Sequence, residues 1–172
     1  MKRALVYILL ALGFFLVQNN LFAASSLVIT VPNLMLILVF SIGFIRGSLE
    51  GMLIGFFCGL LTDLFFDNVL GFSALIYAVM GYAIGLTGRL YYTEFVNLPL
   101  LLCLASDLLY HLITYVLAFV IRGRGAFGAY LLKIVLPELL YTGLMAILLY
   151  PLLKKALIWT RKWEEKKARN YA

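Results

Sequence analysis

The chain has 172 residues, of which 65% are hydrophobic and 13% are charged, and its mean hydropathy is +1.04. Soluble domains are about half apolar and about a quarter charged, so this composition excludes a soluble globular protein and predicts a one-domain integral membrane protein. The formal net charge of +6 does not indicate nucleic-acid binding, because nine of the 14 Lys and Arg residues lie at the two ends of the chain, beside apolar segments.

Six apolar segments predict an all-α, polytopic bundle of about six transmembrane helices joined by short loops, since a span needs about 20 mainly apolar residues. The predicted spans are 4–24, 30–45, 49–66, 70–90, 98–121 and 127–153. The second span is the shortest, because its apolar part from Pro32 to Ile45 gives only about 21 Å of helix. It either begins earlier, within 26–31, or is a half-span that its neighbours shield from lipid.

Positive charges predict the orientation of these spans, because cytoplasmic loops carry an excess of Lys and Arg. With six spans, eleven of these residues fall on the side of the termini and three, Arg122, Arg124 and Lys133, fall on the other. We therefore expect both termini in the cytoplasm. We also expect the first segment to remain as an uncleaved span, because polar Gln18–Asn20 separate its apolar stretch from the small residues that follow.

Small residues recur every four positions along the third and fourth segments. Gly51, Gly55 and Gly59 share one face of the third helix, and Gly81 and Gly85 repeat the spacing in the fourth. Such stripes let helix backbones approach closely within a membrane. They predict either packing inside this chain, which we favour, or a surface for another membrane protein.

An acidic residue continues the first of these stripes. Asp63 follows Gly59 by four positions and lies near the outer end of the third helix. Its carboxylate there has three possible partners: water, a protein at the outer face, or the free amides at the start of the next helix near Gly71.

Three ionisable residues lie deep within the last two segments. Asp107 is about 14 Å into the fifth span, Glu138 is at a similar depth in the sixth, and His111 follows Asp107 by one helical turn. Ionisable groups at this depth are costly and usually face the bundle interior. They predict an intramembrane polar cluster that either responds to protons or cations or, as we favour, serves as hydrogen-bonded packing.

Familiar catalytic and cofactor motifs are missing from the sequence. A single histidine excludes HExxH and other multi-histidine metal sites, and neither a GxxxxGK[ST] phosphate loop nor a GxSxG nucleophile elbow occurs. We therefore expect no catalytic residue, no cofactor and no metal site.

The C-terminal residues 154–172 form a basic tail, which we predict to be cytoplasmic. Trp159 and Trp163 are four residues apart among Lys and Arg, so they share one face of a helix. This pattern favours an anchor at the membrane interface. A docking helix for a cytoplasmic protein is the alternative.

A longer pattern extends from the second segment to the fourth. It comprises Pro32-Asn33-Leu34, then Gly51-x3-Gly55-Phe-Phe-Cys-Gly59-Leu-Leu-Thr-Asp63, then Gly71-x2-Ala74-Leu75 and Gly81-Tyr82. It resembles the pattern of the rod-shape-determining membrane protein family MreD, whose size and basic tail are also similar. The resemblance implies that six positions matter as architecture and as contact surface: Pro32, Asn33, Gly55, Gly59, Asp63 and Gly71.

The resemblance also implies a function and a fold. MreD-like proteins are non-enzymatic scaffolds or regulators in the bacterial cytoplasmic (inner) membrane. Their closest partner is the bitopic protein MreC, and they act with MreB, RodA and a penicillin-binding transpeptidase in side-wall peptidoglycan synthesis. Their fold is similar to that of the six-helix substrate-binding subunit of energy-coupling-factor transporters, so a vitamin-type ligand-binding subunit is the alternative function. A spacious polar pocket would favour that alternative, and a filled core would favour the scaffold.

Overall fold

A computed structural model of the chain describes residues 2–22, 31–66, 70–90, 97–117 and 127–169, and within these ranges it contains helices and no strands. The helices are α1 Lys2–Val17, α2 Leu34–Arg46, α3 Ser48–Phe66, α4 Phe72–Leu90, α5 Asn97–Tyr115, α6 Phe127–Tyr130 and α7 Leu136–Arg169. A π-helical turn extends α1 over Gln18–Phe22, and another, Leu131–Val135, joins α6 to α7. The predicted all-α class is confirmed for this part of the chain.

Two helical stretches, Ser48–Phe65 and Leu131–Thr160, are long and apolar enough to cross a membrane. Shorter apolar stretches occupy Leu5–Asn20, Leu34–Arg46, Phe72–Gly88 and Pro99–Tyr115. Large apolar side chains are exposed on α1, α3, α4, α5 and α7. Continuous apolar surface of this kind is typical of helices that face lipid, and the predicted count of six spans stays a prediction.

Helix α2 forms the centre of the molecule. Every residue from Leu34 to Gly43 is buried, and α2 contacts α1, α3, α4, α5 and α7. Its 13 residues span about 20 Å, which is shorter than the hydrocarbon core of about 30 Å. The surrounding helices keep its ends away from lipid, as a partial span requires. This burial supports the shielded half-span, which stays a prediction.

The start of α2 differs from the predicted start at residue 30. Val31–Asn33 are not helical, and the side chain of Asn33 caps the helix by accepting a hydrogen bond from Leu36 N at 3.1 Å. An amide side chain at this position satisfies a backbone donor that has no partner within the helix. The π-helical turn after α1 supplies another acceptor, because Met35 N donates to Gln18 Oε1 at 3.2 Å.

Helix α7 extends past residue 153, where the predicted last span ends and the basic tail begins. Helix α7 continues without a break through the basic segment to Arg169, because Lys, Arg, Glu and Ala are all strong helix formers. The N-terminal half of α7 and the basic segment therefore belong to one helical rod. Arg46, the last residue of α2, is tied to this rod by a hydrogen bond from its Nη2 to Thr160 Oγ1 at 2.6 Å.

Candidate functional site

Three helix backbones meet where the glycines of α2, α3 and α4 face one another. A Cβ atom added to Gly51 would lie 2.6 Å from the Cα of Gly43 and 3.1 Å from the carbonyl carbon of Gly81. Adding one to Gly81 would bring it 2.6 Å from the carbonyl carbon of Gly51. Contacts this short leave no space for any side chain, so close backbone packing explains the glycine at each position.

The same contact continues in both directions along α3 and α4. A Cβ atom at Gly55 would lie 2.7 Å from the carbonyl carbon of Tyr77, and one at Gly59 would lie 2.6 Å from Ala74 N. A Cβ atom at Gly85 would meet the backbone of Ser48 and lie 2.6 Å from the carbonyl carbon of Gly47, and one at Gly88 would meet the backbone of Phe44. We call the contact formed by Gly43, Gly51, Gly55, Gly59, Gly81, Gly85 and Gly88 the glycine seam.

The glycine seam lies inside the molecule. All seven of its glycines are buried, so they present no surface to another protein in this structure. The geometry assigns the predicted stripes to packing within the chain. The predicted stripes did not include Gly43 and Gly88. Gly43 is the single seam glycine of α2, and Gly88 follows Gly85 by three residues instead of four.

Asp63 lies near the end of α3, where it is 1% exposed and packs against the start of α4. Its Oδ2 accepts hydrogen bonds from Gly71 N at 2.9 Å and Ala74 N at 3.1 Å, and its Oδ1 accepts one from Ser73 N at 2.9 Å. A carboxylate in this position neutralises the free amides and the partial positive charge of a helix start. Gly71 has a φ of +95°, which glycine adopts without strain. Of the three predicted partners of Asp63, the structure has the helix start.

Asn33 joins four helices through its polar atoms. Its backbone N–H donates to Thr142 Oγ1 at 3.0 Å, and its Nδ2 donates to Asp107 Oδ1 at 3.3 Å. Its Oδ1 accepts a hydrogen bond from the hydroxyl of Tyr77 at 2.9 Å as well as the capping bond from α2. The four side chains Asn33, Tyr77, Asp107 and Thr142 are buried, so these hydrogen bonds stabilise the contact of α2 with α4, α5 and α7.

The three predicted ionisable residues come together beside this network. Asp107, His111 and Glu138 each offer one nitrogen or oxygen atom that could bind a metal ion, and these three atoms lie within 4.8 Å of one another. His111 Nε2 is 3.3 Å from Glu138 Oε1 and 4.0 Å from Asp107 Oδ1. On its other side, His111 Nδ1 is 3.4 Å from the hydroxyl oxygen of Tyr130. We call Asp107, His111 and Glu138 the ionisable cluster.

The ionisable cluster contains polar atoms without hydrogen-bond partners. Asp107 Oδ2 and His111 Nε2 are buried, and neither makes a hydrogen bond of good geometry among the described residues, although the Asp107 carboxylate also interacts with the Thr142 side chain and His111 with Glu138. His111 Nε2 approaches Glu138 at ion-pair distance but not in hydrogen-bond geometry. Buried polar atoms are nearly always paired in folded proteins, so these two atoms are unusual; Thr114 Oγ1 of α5 shares this property among the described residues.

Aromatic rings surround the ionisable cluster. Tyr77 and Tyr110 stack with their ring centroids 5.1 Å apart, and Tyr110 packs edge-on against His111 at 5.5 Å. Tyr130 completes the surroundings with a centroid distance of 6.4 Å to His111. These rings fix the orientation of the imidazole, and nothing in the predicted motifs indicated Tyr77, Tyr110, Tyr130 or Thr142.

The remaining predicted residues lie directly before α2 and in the basic segment. Pro32 is buried directly before the capping residue Asn33. Trp159 is 66% exposed on α7, as an interfacial anchor requires. The side chain of Trp163 lies outside the described residues, so the anchor stays a prediction.

A family model described as rod shape-determining protein MreD covers residues 1–158 of the chain. No curated protein and no solved structure matches. The matched range contains the glycine seam, Asp63, the Asn33 network and the ionisable cluster.

Proposed function

Because the chain belongs to the MreD family of rod shape-determining membrane proteins, we propose that it is a non-enzymatic scaffold of the bacterial cell-elongation machinery. The family match over residues 1–158 carries this proposal. Its direct partner in the proposal is a bitopic MreC-like protein in the cytoplasmic membrane. MreB, RodA and a penicillin-binding transpeptidase belong to the same complex, which supports side-wall peptidoglycan synthesis.

The distribution of buried and exposed surface supports a scaffold. The glycine seam and the Asn33 network use the inward faces of the helices, so the apolar residues of the outward faces are free for lipid or for a further helix. On α7 the exposed residues include Leu140, Leu144, Leu148 and Leu152, which recur every four positions. A single transmembrane helix packs against a surface of this kind through van der Waals contact.

The filled centre of the bundle favours the scaffold over the vitamin-type ligand-binding subunit. Small-molecule sites are concave and have volumes of about 300–1,000 Å³. The side chains of Leu34–Ile42 are buried at the centre of this molecule, where they occupy the space between the other helices. The similarity to the substrate-binding subunit of energy-coupling-factor transporters stays a proposal about the fold.

The proposal is tested by identifying what the protein binds in its own membrane. The tagged chain is purified in mild detergent from its host, and co-purifying proteins are identified by mass spectrometry. We expect MreC-like, RodA-like or transpeptidase proteins, enriched over a sample from cells expressing an unrelated tagged membrane protein. Recovery of paired ATPase subunits with a coupling membrane subunit would instead identify the transporter alternative.

We propose in addition that the chain is a multi-pass protein with both termini in the cytoplasm. The excess of Lys and Arg near the termini supports this orientation. A fluorescent protein that folds only in the cytoplasm is fused to the C-terminus, and a periplasm-dependent phosphatase is fused there in a second strain. We expect fluorescence and no phosphatase activity, and the reverse result would contradict the orientation.

A further inference from the structure

We propose that Asp107, His111 and Glu138 bind a divalent transition-metal ion of the Zn²⁺ type between α5 and α7. The site goes beyond the proposed scaffold function and does not depend on it. It rests on the spacing of the donor atoms, the unpaired buried atoms, and the residues that orient the ligands.

The spacing of the donor atoms suits a metal ion. Zn²⁺ lies about 2.0–2.2 Å from nitrogen and oxygen ligands, so two ligands in a tetrahedral arrangement are about 3.4 Å apart. His111 Nε2 and Glu138 Oε1 are separated by 3.3 Å. The Asp107 carboxylate lies beside this pair, with Oδ1 4.0 Å from His111 Nε2 and one ligand atom of each residue within 4.8 Å of the others. Because Oδ1 accepts the hydrogen bond from Asn33, Oδ2 is the oxygen of Asp107 that would bind the ion.

The unpaired atoms point to an ion rather than to a closed hydrogen-bond network. Asp107 Oδ2 and His111 Nε2 are buried without a hydrogen bond among the described residues, although both belong to residues of the ionisable cluster. A metal ion accepts an electron pair from each of them. It would therefore give each of these two atoms a partner at bonding distance, where the protein supplies only contacts of poor hydrogen-bond geometry.

Neighbouring residues hold the ligands in the required orientation. A metal-binding histidine commonly uses its second ring nitrogen in a hydrogen bond, which fixes the tautomer. His111 Nδ1 lies 3.4 Å from the Tyr130 hydroxyl, which leaves Nε2 for the metal. Asp107 Oδ1 accepts a hydrogen bond from Asn33 Nδ2, so the Asp107 carboxylate is oriented as well.

Charge and ligand type select the kind of ion. Two carboxylates balance the two positive charges of a divalent ion, which removes the cost of two uncompensated negative charges within an apolar bundle. Imidazole combined with carboxylate suits Zn²⁺ and neighbouring transition metals, whereas Ca²⁺ and Mg²⁺ prefer oxygen ligands. The bound ion would connect His111 and Asp107 of α5 to Glu138 of α7.

The test measures metal binding by the full-length protein. The chain carries an affinity tag without histidine, is purified in detergent, treated with EDTA, and then equilibrated with Zn²⁺. After removal of free ion, bound zinc is measured by mass spectrometry. We expect one zinc ion per chain, and a loss of affinity of at least about tenfold in His111→Gln and in Glu138→Gln.

Glu50→Gln is the matched control, because Glu50 is a carboxylate outside the ionisable cluster and accepts a hydrogen bond from Tyr7 at 2.6 Å. We expect Glu50→Gln to bind zinc as the wild type does. Equal loss in Glu50→Gln, or equal retention in His111→Gln and Glu138→Gln, would overturn the site.

A second measurement needs only the wild-type protein, in case the variants do not fold. Co²⁺ replaces Zn²⁺ in nitrogen and oxygen sites and absorbs visible light strongly when it has four or five ligands. We expect such a spectrum on adding Co²⁺ and its disappearance on adding excess Zn²⁺. The weak spectrum of hydrated Co²⁺ alone would overturn the site.

Discussion

The glycine seam and the ionisable cluster are two contacts between helices that are built in opposite ways. In the seam, backbone atoms of α2, α3 and α4 approach so closely that a single added carbon at Gly51 has no space. In the cluster, α5 and α7 are joined through long side chains, and two buried polar atoms remain without hydrogen bonds in the described structure. The glycine seam has no space for a larger side chain, whereas the ionisable cluster has polar atoms that could bind an ion.

This difference separates architecture from chemistry within one small bundle. Tight backbone packing in a membrane draws on van der Waals contact and tolerates no insertion. A buried polar atom without a partner lowers the stability of the fold unless something binds it. We therefore expect substitutions in the seam to alter folding whatever the conditions, and substitutions in the cluster to have effects that depend on metal ions.

The largest effect is expected from Gly55→Leu or Gly59→Leu. A leucine side chain at either position collides with the backbone of Tyr77 or Ala74, so α3 and α4 must separate. We expect destabilisation of at least about 3 kcal/mol, at or above the upper end for overpacked cores, with little folded protein and no partner complex recovered. Thermal unfolding in detergent and membrane-inserted yield measure this effect.

Gly13→Leu is the control for the seam, because no atom lies within 4 Å of a Cβ atom added at Gly13 of α1. It adds the same side chain to a helix at a position with open space. We expect Gly13→Leu to retain the wild-type yield and unfolding temperature. If Gly55→Leu matched Gly13→Leu in both, the glycine seam would not be required for folding.

Asp63→Ala is expected to have the next largest effect. It removes the acceptors of three backbone N–H groups at the start of α4. Loss of a capping side chain costs about 0.5–2 kcal/mol, and amides that stay buried without an acceptor add to that cost. We expect a loss of about 2–3 kcal/mol in the free energy of unfolding, with Asp63→Asn less affected because its side chain keeps one acceptor oxygen. Thermal unfolding of both variants measures it.

Partner recovery distinguishes a structural Asp63 from one that recognises a partner. A carboxylate that contacts a partner directly would make Asp63→Ala impair partner binding more than Asp107→Asn does. Because Asp63 is buried, we expect its effect on partner recovery to follow the amount of folded protein. Reduced recovery at unchanged stability would show instead that the carboxylate contacts the partner.

The sequence predicted residues that repeat along one helix better than the residues they contact on other helices. Regular spacing identified Gly51, Gly55 and Gly59 because a helix repeats nearly every four residues. Gly43 was missed because a single glycine in α2 has no such repeat, and its role depends on how α2 crosses α3 and α4. Crossing geometry is set by the packing of whole helices and is not encoded in local spacing.

The ionisable cluster shows the same limit. His111 and Asp107 were paired by their spacing within α5, and depth in the membrane placed Glu138 near them. Asn33 and Thr142 were not connected to them, since Asn33 is separated by 74 residues from Asp107 and by 109 from Thr142. A contact between such distant residues follows from the position of α2 at the centre of the bundle, which hydropathy does not reveal.

Asp107→Asn is expected to have an effect whose sign depends on metal. The asparagine keeps an oxygen that can accept from Asn33 Nδ2 and removes a buried negative charge, so without metal we expect equal or greater stability than in the wild type. With Zn²⁺ the wild type gains stability and the variant does not, so their order reverses. Thermal unfolding in EDTA and in Zn²⁺ measures this, with a difference of about 1–2 kcal/mol expected.

A result independent of metal would count against the cluster as a binding site. If Asp107→Asn lowered the unfolding temperature equally in EDTA and in Zn²⁺, Asp107 would serve as hydrogen-bonded packing between helices. That interpretation also follows from the predicted cluster, so the two conditions decide between the alternatives that the sequence left open.

Tyr130→Phe is expected to have the smallest effect and to be the most specific. It removes the hydroxyl beside His111 Nδ1 while keeping the ring that packs against the imidazole. We expect a decrease in Zn²⁺ affinity of about tenfold, as for other residues that orient metal ligands, with the unfolding temperature in EDTA unchanged. Tyr141→Phe serves as the control, because Tyr141 is an exposed residue of α7. Equal affinity in the two variants would mean that His111 is oriented by its aromatic neighbours alone, whereas a loss confined to Tyr130→Phe would show that the Tyr130 hydroxyl fixes the tautomer through which His111 binds the ion.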